Sequence, residues 1–328
     1  MSSSIITLNW RAGIVQFVRQ PGVPLLFATI AIIGVAEALA PGFASPGQLI
    51  DKLTIAAILA IIAAGQTIVV LAGNEGIDLS VGGVATLGAL VAGNVMSGSD
   101  VMIVPALFMA LLVGAIIGSL NGIGDGIVKI PPLVMTLGMA VVVQGILVCL
   151  TNGITSGSAA PGLRWLVTRP WVFGLPGILF IWLVIAILAT FLLRSTRFGL
   201  SIYAIGTNSF AAKLAGIRVS RVRILAYVLA GVCSALGGFL LLGYTGVVLI
   251  EVGDQYILPS VIAVVLGGTA LSGGAGSYIG TVLGAIFLTQ LQSVLITVKA
   301  APQGRQVIFG LTLLFFMLIY GRQKRLRG

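Results

Sequence analysis

Few residues in this chain can do chemistry. Its 328 residues include eight acids and no histidine, and two of those acids, Glu75 and Asp78, stand together in GNEGIDLSVGG (73–83) between hydrophobic runs. A carboxylate flanked by glycines and followed by Ser80 suits two jobs. In a solvated cytoplasmic turn, Asp78 or Ser80 can cap the next helix by accepting from its orphan amides. In a membrane, the same stretch can be a polar discontinuity that gates a path or meets a partner. The spacing leaves both open.

Enzyme chemistry finds no support. Without histidine, and with Cys149 and Cys233 in separate predicted spans, neither a histidine-based triad nor a His/Cys metal site assembles. The cysteines read as small buried apolar residues rather than a disulfide framework. The glycine-rich SGGAGSYIG (272–280) lacks the Lys-Ser/Thr pair of a phosphate-cradling loop. Any ATP hydrolysis is therefore expected from another polypeptide.

The elements that position these residues are apolar helices. The chain is 58% hydrophobic and 8% charged, against about 25% charge in a soluble domain. Its apolar windows do not alternate as barrel strands do. They predict an all-α polytopic membrane protein with about ten spans, near 23–40, 53–72, 80–97, 101–120, 132–151, 174–193, 224–247, 257–272, 277–297 and 305–321, some short or broken. The first window carries Glu37 and lacks a convincing cleavage site, so it reads as an uncleaved span.

The net charge of +10 follows the spans rather than a nucleic-acid partner. Basic residues crowd into Arg194–Arg223 and the tail from Arg322. With both termini inside, thirteen basic residues fall on the cytoplasmic side and five outside, as the positive-inside rule requires. Asp51, Asp100, Glu251 and Asp254 then fall outside. One transmembrane domain over 1–328 results, with cytoplasmic segments 1–22, 194–223 and 322–328.

Two loops are long enough to hold structure. The outer one (152–176) carries Trp165 and Trp171, suited to an interface or a partner-facing lip. In the inner one (194–223), Phe210, Leu214 and Ile217 recur at helical spacing and predict a short amphipathic helix across the cytoplasmic face. Residues 63–83 and 264–280 echo each other, each running from an apolar span through a glycine-rich break into a small-residue helix, the pattern of broken transporter helices. Gly114, Gly118 and Gly122, like Gly276, Gly280 and Gly284, repeat every four residues for close packing. Glu37, Gln66, Asn94, Asn121, Gln144, Gln290 and Gln292 lie within spans, as interhelical glue or the lining of a hydrated cavity.

Four stretches, GIDLSVGG (76–83), KIPPLVMTLGMA (129–140), RFGLSIYAIGTNSFAAKLAGIRV (197–219) and VIAVVLGGTALSGGAGSYIGTVLGA (261–285), resemble in order the permease subunits of bacterial carbohydrate and autoinducer-2 ABC importers. The resemblance implies a multi-pass inner-membrane permease for a pentose or hexose. Nucleoside or autoinducer-2 import is the nearest alternative, and an ion-coupled transporter a more distant one. It implies a second permease copy or sister permease, partner ATPases that bind the ATP and Mg, and a periplasmic sugar-binding protein. No cofactor is implied in this chain. Asn208, Ala211, Ala212, Gly216 and Ile217 match the helix that couples to the ATPase, although Phe210 stands where the wider motif has Glu. Asp78, Ser80, Gln66, Asn121 and Thr136 are the path or gating candidates. The family usually writes Gly-Gly-Ile-Asp-Leu-Ser; here Asn74-Glu75 lengthens the turn.

Overall fold

Apolar runs that cannot hydrate their peptide groups satisfy them along the helix itself. The computed structural model describes residues 22–152, 154 and 157–324; the expected N-terminal segment up to residue 21 and the last four tail residues lie outside them. The helices are α1 (Gly22–Leu39), α2 (Pro46–Leu71), α3 (Val81–Met96), α4 (Ile103–Ile123), α5 (Pro132–Thr151), α6 (Pro161–Thr168), α7 (Gly177–Ser195), α8 (Arg197–Thr207), α9 (Ser209–Leu214), α10 (Val219–Thr245), α11 (Ile257–Leu266), α12 (Tyr278–Thr297) and α13 (Pro302–Lys324). A helix lies at each of the ten predicted windows.

Among the described residues, seven stretches are long and apolar enough to cross a membrane: α1, α2, residues 100–128, α5, α7, α10 and α12. Two apolar helices are shorter. The 16 residues of α3 and 10 of α11 rise only about 24 and 15 Å at 1.5 Å per residue, less than the roughly 30 Å of hydrocarbon.

The central post is α10, which packs on α2, α3 and α4. Small residues let the backbones touch. Gly114, Gly118 and Gly122 of α4 lie directly against Gly231, Tyr227 and Ile224 of α10, so α4 and α10 run antiparallel in close contact. Gly280 and Gly284 of α12 meet Gly267 and Ala263 in the same way, whereas Gly276 sits in the preceding loop against Thr269.

The stretch after α10, expected as an outer loop, instead runs back along α3. Val248 packs on Gly93 near the end of α3, and Gly253 packs on Gly82 at its beginning, where the Gly253 amide donates to Thr86 Oγ1 at 3.0 Å. The two short helices α3 and α11 thus start side by side. Eleven positions of helix, about 16 Å, separate the two contacts, so Glu251 and Asp254 stand well back from the C-terminal end of α10.

Elsewhere single residues explain local turns. Glu37 closes the α1–α2 turn, its carboxylate accepting from Gly42 N (2.9 Å) and Ala44 N (2.7 Å). Lys52 Nζ donates to Phe43 O at 2.7 Å and lies over the Phe43 ring. The long loop after α5 forms α6 and a small hairpin, β1 (Pro170–Val172) with β2 (Leu175–Pro176), and the Trp165 and Trp171 rings meet at 5.2 Å. Cys233 is half-buried, but Cys149 lies exposed on α5, because only one face of that helix packs inward.

Candidate functional site

GNEGIDLSVGG folds into the bundle rather than onto its surface. After α2 ends, Gly73, Asn74 and Glu75 take positive φ values of 76, 61 and 55°, a left-handed run that asparagine tolerates and glutamate rarely adopts. This reverses the chain, and Gly76 returns against the Val69 carbonyl of α2. Asp78 is therefore only 1% exposed, which removes the solvated-turn reading.

Five residues singled out from the sequence meet here. Asp78 Oδ1 accepts from Ser80 N at 2.9 Å and Ser80 Oγ at 2.6 Å. Asp78, not Ser80, is therefore the capping acceptor at the start of α3. Asn121 Nδ2 of α4 donates to Ser80 Oγ at 2.9 Å, giving a relay from amide to hydroxyl to carboxylate. Gln66 of α2 pairs with the Asp78 peptide when its amide is oriented by its partners, Nε2 to the carbonyl at 3.1 Å and Oε1 from the N–H at 3.2 Å. Thr136 Oγ1 of α5 reaches Ile77 O and Pro132 O, both at 3.0 Å. Gln66, Ser80, Asn121 and Thr136 are fully buried. The knot holds the non-helical strand in place; it does not face an open channel.

One turn beyond Asn121, α4 widens into a π-helical turn over Gly124–Val128, a distortion frequent at functional positions. It carries Asp125, which accepts from Asn74 Nδ2 at 3.1 Å and lies 3.9 Å from Arg223 Nη1 of α10. Asp125 and Arg223 were not read from the sequence as a pair. The available signal was the four-residue spacing of Asn121 and Asp125, which puts two polar groups on one face of a glycine-rich helix.

The second echo segment touches the first. Gly73, Gly206 and Gly273 pack backbone to backbone, Gly274 N donates to Leu71 O at 3.0 Å, and the Thr67 and Thr281 hydroxyls bond at 2.9 Å. Tyr203 Oη of α8 donates to Gly276 O at 3.0 Å. Burial pushes that phenol above its ordinary pKa, so it remains a donor.

The coupling candidates lie just beyond this seam. Asn208 caps α9, its Oδ1 accepting from Phe210 N and Ala211 N at 3.0 Å each. Ala212 faces inward at 5% exposure, while Phe210 and Leu214 stand 70% and 75% exposed. The expected amphipathic helix is six residues long and turns its large apolar side chains outward. Gly216 ends it at φ 84°, and Ile217 N donates back to Ala212 O at 3.0 Å. At the same end opens a cavity of about 1540 Å³ bordered by Asn74, Glu75, Asp125, Lys213, Arg221 and Arg223. A smaller cavity of about 170 Å³ lies between α3, α5 and the descending segment, with Gln144, Glu251 and Asp254 at its wall.

Residues 48–317 match the family described as branched-chain amino acid transport system / permease component. The chain is 34% identical over 297 residues to the autoinducer 2 import system permease protein LsrC of Salmonella typhimurium strain LT2, covering 90% of this chain and 84% of that one. It is 31% identical over 304 residues to the ribose import permease protein RbsC of Escherichia coli K12, covering 91% and 93%. No solved structure matches the chain at a significant level.

Proposed function

The chain belongs to the permease family described as branched-chain amino acid transport system / permease component, and from that premise we propose that it carries a monosaccharide inward as the membrane subunit of an ATP-binding-cassette importer. It is a multi-pass inner-membrane protein and is not itself catalytic. The observation that carries the reading is α9: a capped helix with Phe210 and Leu214 exposed, beside the mouth of the large cavity. An exposed aromatic and an aliphatic side chain on a short helix suit insertion into a partner's groove.

In this reading two partner ATPases hold ATP and Mg and close on it, pressing on α9. The first turn of α10 and the end of α8 move with it. The bundle then exchanges inward for outward access, which requires two packings with different contacts rather than a reaction in this chain. A periplasmic binding protein delivers the sugar at the outer end, and a second permease completes the path. Two short helices starting side by side, α3 and α11, supply the break in the bundle that transporters use at such a path.

The solute class rests on the ribose permease as a relative. A second reading, autoinducer 2 import, is favoured by the 34% identity to that permease. Reconstitution with a partner ATPase and a sugar-binding protein tests both. ATP-dependent, binding-protein-dependent uptake of ribose or another pentose or hexose is expected. Uptake of autoinducer 2 or leucine alone, or uptake without ATP, overturns the monosaccharide importer.

A further inference from the structure

Asn74, Asp125 and Arg223 lie in three elements far apart in sequence, and all three meet at one carboxylate. Asp125 is 5% exposed and Arg223 16%, so the ion pair is shielded from the screening that makes surface pairs weak. Asp125 Oδ1 accepts a hydrogen bond from Asn74 Nδ2 at 3.1 Å and stands 3.9 Å from Arg223 Nη1, an ion-pair contact rather than a hydrogen bond. A single oxygen therefore joins the glycine-rich loop to α10.

The geometry around this oxygen is directional. Asn121 and Asp125, one helical turn apart on α4 and its π-helical extension, hold the loop at both ends, at Ser80 and at Asn74. Arg223 stands in the second turn of α10, which begins at Val219, only five residues after α9 ends at Leu214. Gly216, with positive φ, and Arg218, with φ −80° and ψ 80°, form the short link between them. Only a short connection therefore separates α9 from Arg223.

We propose that Asn74, Asp125 and Arg223 are positioning residues that tie the GNEGIDLS loop to the docking helix, so that a push on α9 moves the Asp78 knot at the foot of α3. The proposal rests on the importer reading above, in which α9 docks on an ATPase. It gives Asn74 a use: the lengthened turn carries an amide to Asp125. Nothing in the structure assigns one to Glu75, which is exposed at the cavity. The tie acts through position.

Amide hydrogen exchange on the full chain, alone and bound to its partner ATPase with MgATP, tests this. In the wild type, ATPase binding is expected to protect residues 209–214 and to change exchange at 73–80 by about tenfold, as loss or gain of a charge-assisted hydrogen bond would. In Asp125→Asn, Arg223→Met and the surface variant Asn74→Ala, protection at 209–214 persists while the response at 73–80 disappears. The double variant Asp125→Asn/Arg223→Met behaves like either single one, because the residues act as one unit. A wild-type response at 73–80 in these variants overturns the tie, as does protection of 209–214 without any response at 73–80 in the wild type. If no ATPase protects 209–214 in the wild type, the docking reading itself falls and takes the tie with it.

Discussion

Asn121 of α4 donates to Ser80 at 2.9 Å across 41 positions, and Ser80 passes its own proton toward Asp78 at 2.6 Å. The acid that stands out in an apolar sequence is thus satisfied by its own loop and by one amide from another helix. Asp78→Asn retains an acceptor for both Ser80 donors and is expected to fold, whereas Asp78→Ala leaves a buried N–H and hydroxyl unpaired and loses about 2–4 kcal/mol. A detergent-unfolding titration of the two variants separates them; equal stability would show that Asp78 holds nothing.

Gln66 pairs with both polar atoms of the Asp78 peptide. Gln66→Leu strands a buried N–H and a buried carbonyl and is expected to cost about 2–5 kcal/mol. Gln66→Glu, held neutral by burial, keeps an acceptor and one O–H donor and falls between. The same titration ranks the three proteins, and wild-type stability of Gln66→Leu would remove the pairing from the account.

Gly118 of α4 lies against the Tyr227 backbone, whereas a side chain at Gly145 of α5 meets nothing within 4 Å. Gly118→Ala forces two backbones apart at a cost of about 1–3 kcal/mol. Gly145→Ala is neutral or slightly stabilising, since alanine favours helix by up to about 1 kcal/mol. Thermal midpoints in detergent should move in opposite directions or only for Gly118→Ala.

Phe210 is 70% exposed on α9, so Phe210→Glu should leave the thermal midpoint unchanged while abolishing co-purification with the partner ATPase. Retained co-purification would move the docking surface elsewhere.

Gly216 has φ 84° but open space around its missing side chain. Gly216→Ala is therefore strained by about 1–2 kcal/mol without a clash. Gly216→Asn should be milder, because asparagine tolerates this conformation. A bulky charged residue there should abolish uptake while membrane insertion stays intact. Uptake assays across the three variants follow that order if the turn positions α9, and show no order if it does not.

The helices and the importance of GIDLS were legible because both rest on local composition: long apolar runs, and an acid that such runs make conspicuous. Ser80, Asn121, Gln66 and Thr136 stood out as polar residues, but their convergence depends on how four helices pack. Gln66 was the least readable, since its partner is a peptide group that any residue at position 78 would supply. The contact of Asp125 with Arg223 was hidden differently: each is an ordinary charge at a span end, and only the antiparallel glycine contact of α4 with α10 brings them together. Glu251 and Asp254 were placed in an outer loop because charge implies water, whereas Gly82 and Gly93 leave room for that segment beside α3.

The shortness of α11 bears on how the protein is made. Ten residues, about 15 Å of helix, are too few for the insertion machinery to retain as a crossing by themselves. The preceding segment, with Glu251 and Asp254, has no lipid-compatible form either. The depth of this part of the chain is therefore set by its neighbours, α2 and α12 against α11 and Gly82 of α3 against Gly253, rather than by its own hydrophobic length.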